Sequence, residues 1–185
     1  MSRGVPAAFL DRDGTLIIDH HHIGRVEQVE LLPGAAKSVK RLNDAGWPVI
    51  VVTNQSGIAR GYFTMADFET VRDRMAELLA EQGAHVDATY VCPHYPEISG
   101  PCECRKPGSL LYRQAAQQHG LDVSRSWLAG DKLRDVTPAT ELGARGGILI
   151  PNHETPLADV ELARREHLVV RVLDEAVDRI LESAK

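Results

Sequence analysis

The chain alternates short apolar runs with longer stretches in which apolar residues recur at helical spacing. Ala7–Leu10 is apolar and stops abruptly at Asp11-Arg12-Asp13-Gly14, the pattern of a buried strand feeding a loop. From Ala35 to Ala45 the residues Ala35, Ala36, Val39, Leu42 and Ala45 keep helical spacing, with Pro33 suited to the helix start and Gly46 to its end. Val49–Val52 is β-branched throughout and predicts a second buried strand, ended by the turn-forming residues Thr53–Gly57. Thr64 is placed to cap a helix running to about Gln82, whose apolar face is Phe68, Val71, Met75, Leu78 and Leu79. Further strands are expected at Ala88–Val91, Trp127–Ala129, Ile148–Ile150 and Leu168–Val172. Helices are expected at Gly108–His119, near Pro138–Leu142, and at Val172–Leu181.

Strands separated by helices predict βαβ units: a three-layer, Rossmann-like α/β fold with a parallel sheet and helices on both faces. In such sheets the chemistry gathers outside the carboxyl ends of the strands. The segments after Asp13 and after the second strand are too short for a large cap. The one long stretch between elements is Cys92–Gly108, so the expectation is a single domain, 1–185, with a small loop module at 92–104.

A length of 185 residues agrees with one domain. The net charge of -5 carries no basic stripe and argues against nucleic acid as a partner. No apolar run reaches the length of a membrane span, and the N-terminal run is too short and too acidic for a signal peptide, so no membrane partner and a cytoplasmic location are expected. Nothing in the sequence demands more than a monomer. Three cysteines, an odd number, argue against a disulfide framework.

Polar clusters sit at the predicted strand ends: Asp11, Asp13, Gly14 and Thr15 after the first, Thr53, Asn54 and Ser56 after the second, and Asp131, Lys132 and Asp135 after the fourth. Two close carboxylates repel unless a cation lies between them. A hard divalent ion such as Mg2+ would let Asp11 stay ionised as a nucleophile while Asp13 exchanges protons, with Asp131 completing the ion's carboxylate set. One Asp-x-Asp-Gly alone is equally a turn. A calcium loop fits poorly, because Gly14 falls at the fourth rather than the sixth position and His22 stands at the twelfth, where a Glu is needed. The hydroxyl of Thr53 and the N–H groups of its turn suit phosphate oxygens. Lys106, before Pro107 as a first helical residue, adds a cation to an anion site at a helix start.

Cys92-x-His94 and Cys102-x-Cys104 form two ligand pairs joined by a seven-residue spacer. A Cys3His set suits a closed, structural, tetrahedral Zn2+ site, and a loop rich in Pro and Gly has little other means of order. A redox Cys-x-x-Cys is absent. A non-catalytic zinc module is the reading from another class, and it leaves the strand-end motifs unused.

Together, FLDRDGTL, VVTN, RKP and GDKLRD, in this order, resemble the nucleophile, hydroxyl, lysine and acidic motifs of the haloacid dehalogenase-like phosphohydrolases, over roughly residues 5 to 150. The resemblance implies Mg2+-dependent phosphoryl transfer through an aspartyl-phosphate. Asp11 would attack phosphorus, and Asp13 would act as acid and then base. Thr53 and Lys106 would hold phosphoryl oxygens, and Mg2+ would take Asp11, the Asp13 carbonyl and Asp131. The zinc loop followed by CRKP resembles the capless branch holding the heptose bisphosphate phosphatases and the histidinol-phosphate phosphatases. TNQSGIARGYF and GDKLRDV look like the former. That likeness implies a small phosphorylated sugar met by Asp19, His20, Asn54, Gln55, Ser56, Arg105 and Lys132. The triple histidine His20-His21-His22 departs from that branch, which has one His at the position of His20. KPGSLL departs too, lacking two residues between Pro and Gly.

Overall fold

The computed structural model describes residues 4–183. Met1–Arg3 and Ala184–Lys185, which belong to the expected 1–185 domain, lie outside the described residues. The elements run β1 (Ala8–Leu10), α1 (Ala35–Asp44), β2 (Val49–Asn54), α2 (Ser56–Ala59), α3 (Met65–Ala80), β3 (Ala88–Cys92), α4 (Pro96–Ser99), α5 (Leu110–His119), β4 (Trp127–Gly130), α6 (Leu133–Val136), α7 (Pro138–Leu142), β5 (Gly146–Leu149), α8 (Leu157–Glu166), β6 (Leu168–Val169) and α9 (Leu173–Glu182).

The six strands form one sheet in the order β3-β2-β1-β4-β5-β6, and every pairing is parallel. Alternate residues of the central strands serve different layers, as the period of two requires. Ala8, Leu10, Val49 and Val51 pack with α1, α3 and α9, while Phe9, Ile50, Val52 and Leu128 pack with α5 and α7. A smaller cluster of Val136, Leu149 and Ala163 seats α6 and α8. The expected three-layer α/β architecture is thus present, and no large cap interrupts it. Trp47 and Trp127 are buried in the first of these layers. No helix is long and apolar enough to cross a membrane among the described residues.

Local chemistry explains most boundaries. Thr64 caps α3 through a reciprocal capping box: its Oγ1 accepts from Asp67 N–H (3.1 Å) and its N–H donates to Asp67 Oδ2 (2.7 Å). Gly34, left-handed at φ 81°, precedes α1, so that helix begins two residues after Pro33.

Several expectations need correction. The helix expected from Gly108 begins at Leu110, and Pro107 is not its first residue. Gly108 N–H instead closes a turn on the Arg105 carbonyl (2.7 Å), and the Lys106–Pro107 bond is cis. The edge strand expected at Leu168–Val172 is only Leu168–Val169, because Val170 N–H makes the last bond to β5, at Leu149. Helix α8 is absent from the expected elements altogether. His167, which carries no motif, is half-buried against Gly147, and burial pushes its imidazole below the usual value.

Candidate active site

Strand β1 lies at the point where the chain's path across the sheet reverses, with β2 on one side and β4 on the other. A crevice opens at the carboxyl ends of strands there. Asp11 follows β1 and is tied to β4 by its N–H on the Ala129 carbonyl (2.9 Å). Asp131 follows β4, Thr53 and Asn54 end β2, and Lys106 enters from the turn before α5. Gly14 is left-handed at φ 77°, and a Cβ there would lie 2.6 Å from Asp131 Oδ2 and 2.9 Å from Asn152 Nδ2. Only glycine lets the two loops close on each other.

At the floor, Lys106 Nζ donates to Asp11 Oδ1 (2.6 Å) and to the Val52 carbonyl (2.7 Å). It also forms an ion pair, outside hydrogen-bond alignment, with Asp135 Oδ1 at 2.8 Å. All three side chains are buried. Burial pushes the Asp11 carboxyl up to about 7, against the Lys106 charge, which lowers it, and with Asp135, Asp13 and Asp131, which raise it further. Burial alone would push the Lys106 ammonium down, but Asp11 and Asp135 outweigh it and hold the group above the ordinary lysine value. Burial also raises Asp131, whose carboxylate meets Lys132 Nζ (2.9 Å) and Asn152 Nδ2 (2.8 Å).

Asp11, Asp131 and Asp135 each bring a carboxylate oxygen within 4.8 Å of the others. Three buried acids against the shared Lys106 and the outlying Lys132 leave the centre short of positive charge. An all-oxygen donor set of this kind fits a hard divalent ion such as Mg2+. Asp135 belongs to this set, although its position in the sequence marks it only as a strand-end residue. It sits at the third position of α6, held by Lys132 N–H on its Oδ2 (2.9 Å).

Asp13 is gripped from the protein side. Arg12 Nε and Nη2 donate to its two oxygens at 2.9–3.1 Å, and Gln55 Nε2 is a third donor, at 2.7 Å. Arg12 is itself fully buried and stacks over Phe68, 5.4 Å from the ring centroid. Gln55 also donates to Thr53 Oγ1 (2.8 Å), which lies below the cleft surface and leaves the hydroxyl proton free to donate. Asn54 clamps the Lys106 backbone from both sides: Lys106 N–H to Asn54 Oδ1 (3.0 Å) and Asn54 Nδ2 to Lys106 O (3.2 Å). Arg12, Asn152, Glu154 and Thr155 were not in the sequence reading. The last three come from the loop after β5: Asn152 Nδ2 and Thr155 Oγ1 donate to the Asp131 carboxylate (2.8 Å) and carbonyl (2.7 Å), while Glu154 faces Lys132 Nζ (3.7 Å).

The cleft is lined by Asp19, His21 and His22 from the loop beyond Asp13, by Asn54, Gln55 and Ser56 at the end of β2, and by Arg105, Lys132 and Arg134. His20, the histidine expected to face a substrate, is exposed and lies outside this lining; the next two line it instead. The backbone is left-handed at His21 (φ 55°) and His22 (φ 51°), which turns the loop by two residues. His21 N–H bonds Asp19 Oδ1 (2.8 Å), its Nε2 reaches Glu154 (3.1 Å), and the His22 ring packs edge-on against Tyr62.

Cys92, His94, Cys102 and Cys104 converge beside the cleft. Their sulfurs lie 3.0–3.7 Å apart, and His94 Nδ1 is 3.1 Å from Cys104 Sγ. The edges of a tetrahedral zinc–thiolate site are roughly 3.8 Å long for bonds of about 2.3 Å, so the four donors match Zn2+. Burial pushes the Cys92 thiol up, a cost that a bound cation would reverse. The knot is wired to the cleft: Gln55 N–H donates to the Cys92 carbonyl (2.8 Å) and Arg105 Nη1 to the His94 carbonyl (3.2 Å).

Comparison with known proteins agrees with this arrangement. Residues 103–176 match the HAD-hydrolase-like family model. The D-glycero-beta-D-manno-heptose-1,7-bisphosphate 7-phosphatase of Haemophilus ducreyi is 38% identical over 179 residues, covering 94% of this chain and 97% of the relative. The enzyme of the same name from Escherichia coli (strain K12) is 38% identical over 155 residues, 81% of each chain. The crystal structure of D,D-heptose 1,7-bisphosphate phosphatase from B. bronchiseptica, complexed with magnesium and phosphate, superposes with a TM-score of 0.85 at 31% identity, covering 96% of this chain and 99% of that one. With its sheet order, its buried carboxylates and these relatives, the chain belongs to the D-glycero-beta-D-manno-heptose-1,7-bisphosphate 7-phosphatase family of haloacid dehalogenase-like hydrolases.

Proposed function

We infer that this protein removes the 7-phosphate of D-glycero-β-D-manno-heptose 1,7-bisphosphate. The observation that carries the reading is the pairing of Asp11 with Lys106 at the cleft floor, beside Asp13 and under a rim of arginines. The sugar and its anomer rest on the names of the relatives.

In this mechanism the Asp11 carboxylate attacks phosphorus and the bond to the sugar oxygen breaks. Asp13 gives its proton to that oxygen. Asp13 then takes a proton from water, the water oxygen bonds to phosphorus, and Asp11 leaves as the carboxylate with inorganic phosphate released. Lys106 and the Thr53 hydroxyl hold phosphoryl oxygens, and Arg12 and Gln55 orient Asp13. Asp11, Asp131 and the Asp13 carbonyl would hold Mg2+, with Asp135 in reach. Mg2+ bound there supplies charge neutralisation for the phosphoryl group. Zn2+ in the cysteine knot would hold Arg105 and Gln55 in place without joining the chemistry. Asp19, Asn54, Ser56, Arg105 and Lys132 contact the sugar or its second phosphate, and His21 and His22 take the place given to His20.

The odd cysteine count and the clustering of all three thiols in one knot support a cytoplasmic location. The test is product identity. Incubated with Mg2+ and the heptose 1,7-bisphosphate, the protein should release one phosphate and leave the 1-phosphate, read by 31P NMR. Retention of the 7-phosphate instead would refute the assignment.

A further inference from the structure

Four basic side chains line the cleft: Arg105, Lys106, Lys132 and Arg134. Two are committed to carboxylates. Lys106 serves Asp11 and Asp135, and Lys132 sits 2.9 Å from Asp131 and 3.7 Å from Glu154. The Asp13 carboxylate is neutralised from behind by Arg12. Arg105 touches an uncharged acceptor, the His94 carbonyl. Arg134 has no side-chain hydrogen bond or ion pair among the described residues, and it is exposed. In a chain of net charge -5, two guanidinium groups without an ion-pair partner among the described residues line one cleft and concentrate positive potential there.

Arg134 is also well anchored. It occupies α6, one residue before Asp135, whose carboxylate is buried under Lys106 and capped by Lys132 N–H. Its Cα is therefore fixed by the same helical turn that places an acid at the floor, while its side chain stays solvated. A guanidinium offers a planar fork that matches two phosphate oxygens, and solvation at the rim keeps the cost of awaiting an anion low.

We propose that Arg134 is a specificity-determining residue that forms, with Arg105, a two-guanidinium seat for the phosphate that is not hydrolysed. The inference rests on the bisphosphatase reading above. A substrate with one phosphate gains nothing from the seat, so the pair selects for a second anionic group rather than for the sugar ring.

The test compares kcat/KM for the heptose 1,7-bisphosphate with that for the heptose 7-phosphate, in wild type, Arg134→Gln, Arg134→Glu and Arg134→Lys. Loss of one charge-assisted contact at a rim predicts about a tenfold fall in that ratio for Arg134→Gln, carried by KM. Arg134→Glu should fall further, and Arg134→Lys should recover part of the loss. Thermal midpoints read alongside report that each variant is folded. A ratio unchanged in both the Gln and Glu variants overturns the inference. A wild-type ratio near one removes the seat but leaves the phosphatase reading intact. A wild type that turns over neither sugar phosphate overturns the functional reading, and this inference with it.

Discussion

At Lys106 one ammonium serves two buried carboxylates and a backbone carbonyl. Removing it strands Asp11 and Asp135 without a counter-charge. Breaking a buried pair in this way costs about 3–5 kcal/mol. Lys106→Ala should therefore shift the urea midpoint strongly at pH 8 and less at pH 5, where Asp11 can take a proton instead. An equal shift at both values would mean that the ammonium is not neutralising Asp11. The same carboxyl sets a second expectation. Its value in the folded chain is raised from 3.8 to about 7, so the native state binds the proton more tightly than the unfolded chain. Metal-free stability should then fall as pH rises from about 4 to about 7 and level off above. Mg2+ favours the ionised form, so added Mg2+ should raise the melting temperature more at pH 8 than at pH 5. A shift that is the same at both values would place the ion away from Asp11.

At the scale of elements, the capping box of α3 and the zinc knot make separable predictions. Thr64→Ala removes the side chain that accepts from Asp67 and should cost about 1 kcal/mol in urea unfolding, with kcat unchanged. Cys102→Ser should lose bound zinc and open residues 92–108 to proteolysis, while the rest of the sheet melts much as before. If Arg105 is positioned by the knot, KM for the bisphosphate should rise in this variant. An unchanged KM after zinc loss would make the knot a stability device only.

These two elements were legible in the sequence because their signals are local: a hydroxyl three residues before an acid, and four soft ligands in tight spacing. Helix α8 was not, because it lacks a clean apolar face. Only Ala163 of it is buried, Leu157 and Leu162 face solvent, and it follows Pro156 with no polar cap. Pro107 misled for the opposite reason, since a proline that starts helices also serves tight turns. Asp11, Asp13 and Asp131 are legible from motifs at strand ends, and Lys106 from its place before a predicted helix. Arg12 carries no sequence signal of its own role, and only the fold shows it buried against Phe68. Asn152 and Glu154 carry no motif and reach the site only because β5 lies beside β4.

On the scale of the whole molecule, the sheet order does the assembling. The path reverses at β1, so loops from β1, β2, β4 and β5 and the turn before α5 meet over one edge. Without a large cap, the cleft is shaped by short loops alone: the histidine loop, the turn after β2, the zinc knot and α6. Such a cleft suits a small phosphorylated metabolite. The central claim is that this cleft turns over a heptose bisphosphate. The most direct measurement is kcat/KM with Mg2+ for D-glycero-β-D-manno-heptose 1,7-bisphosphate against histidinol phosphate. The account predicts a clear preference for the heptose, abolished in Asp11→Asn. A preference for histidinol phosphate, or full turnover by Asp11→Asn, would contradict it.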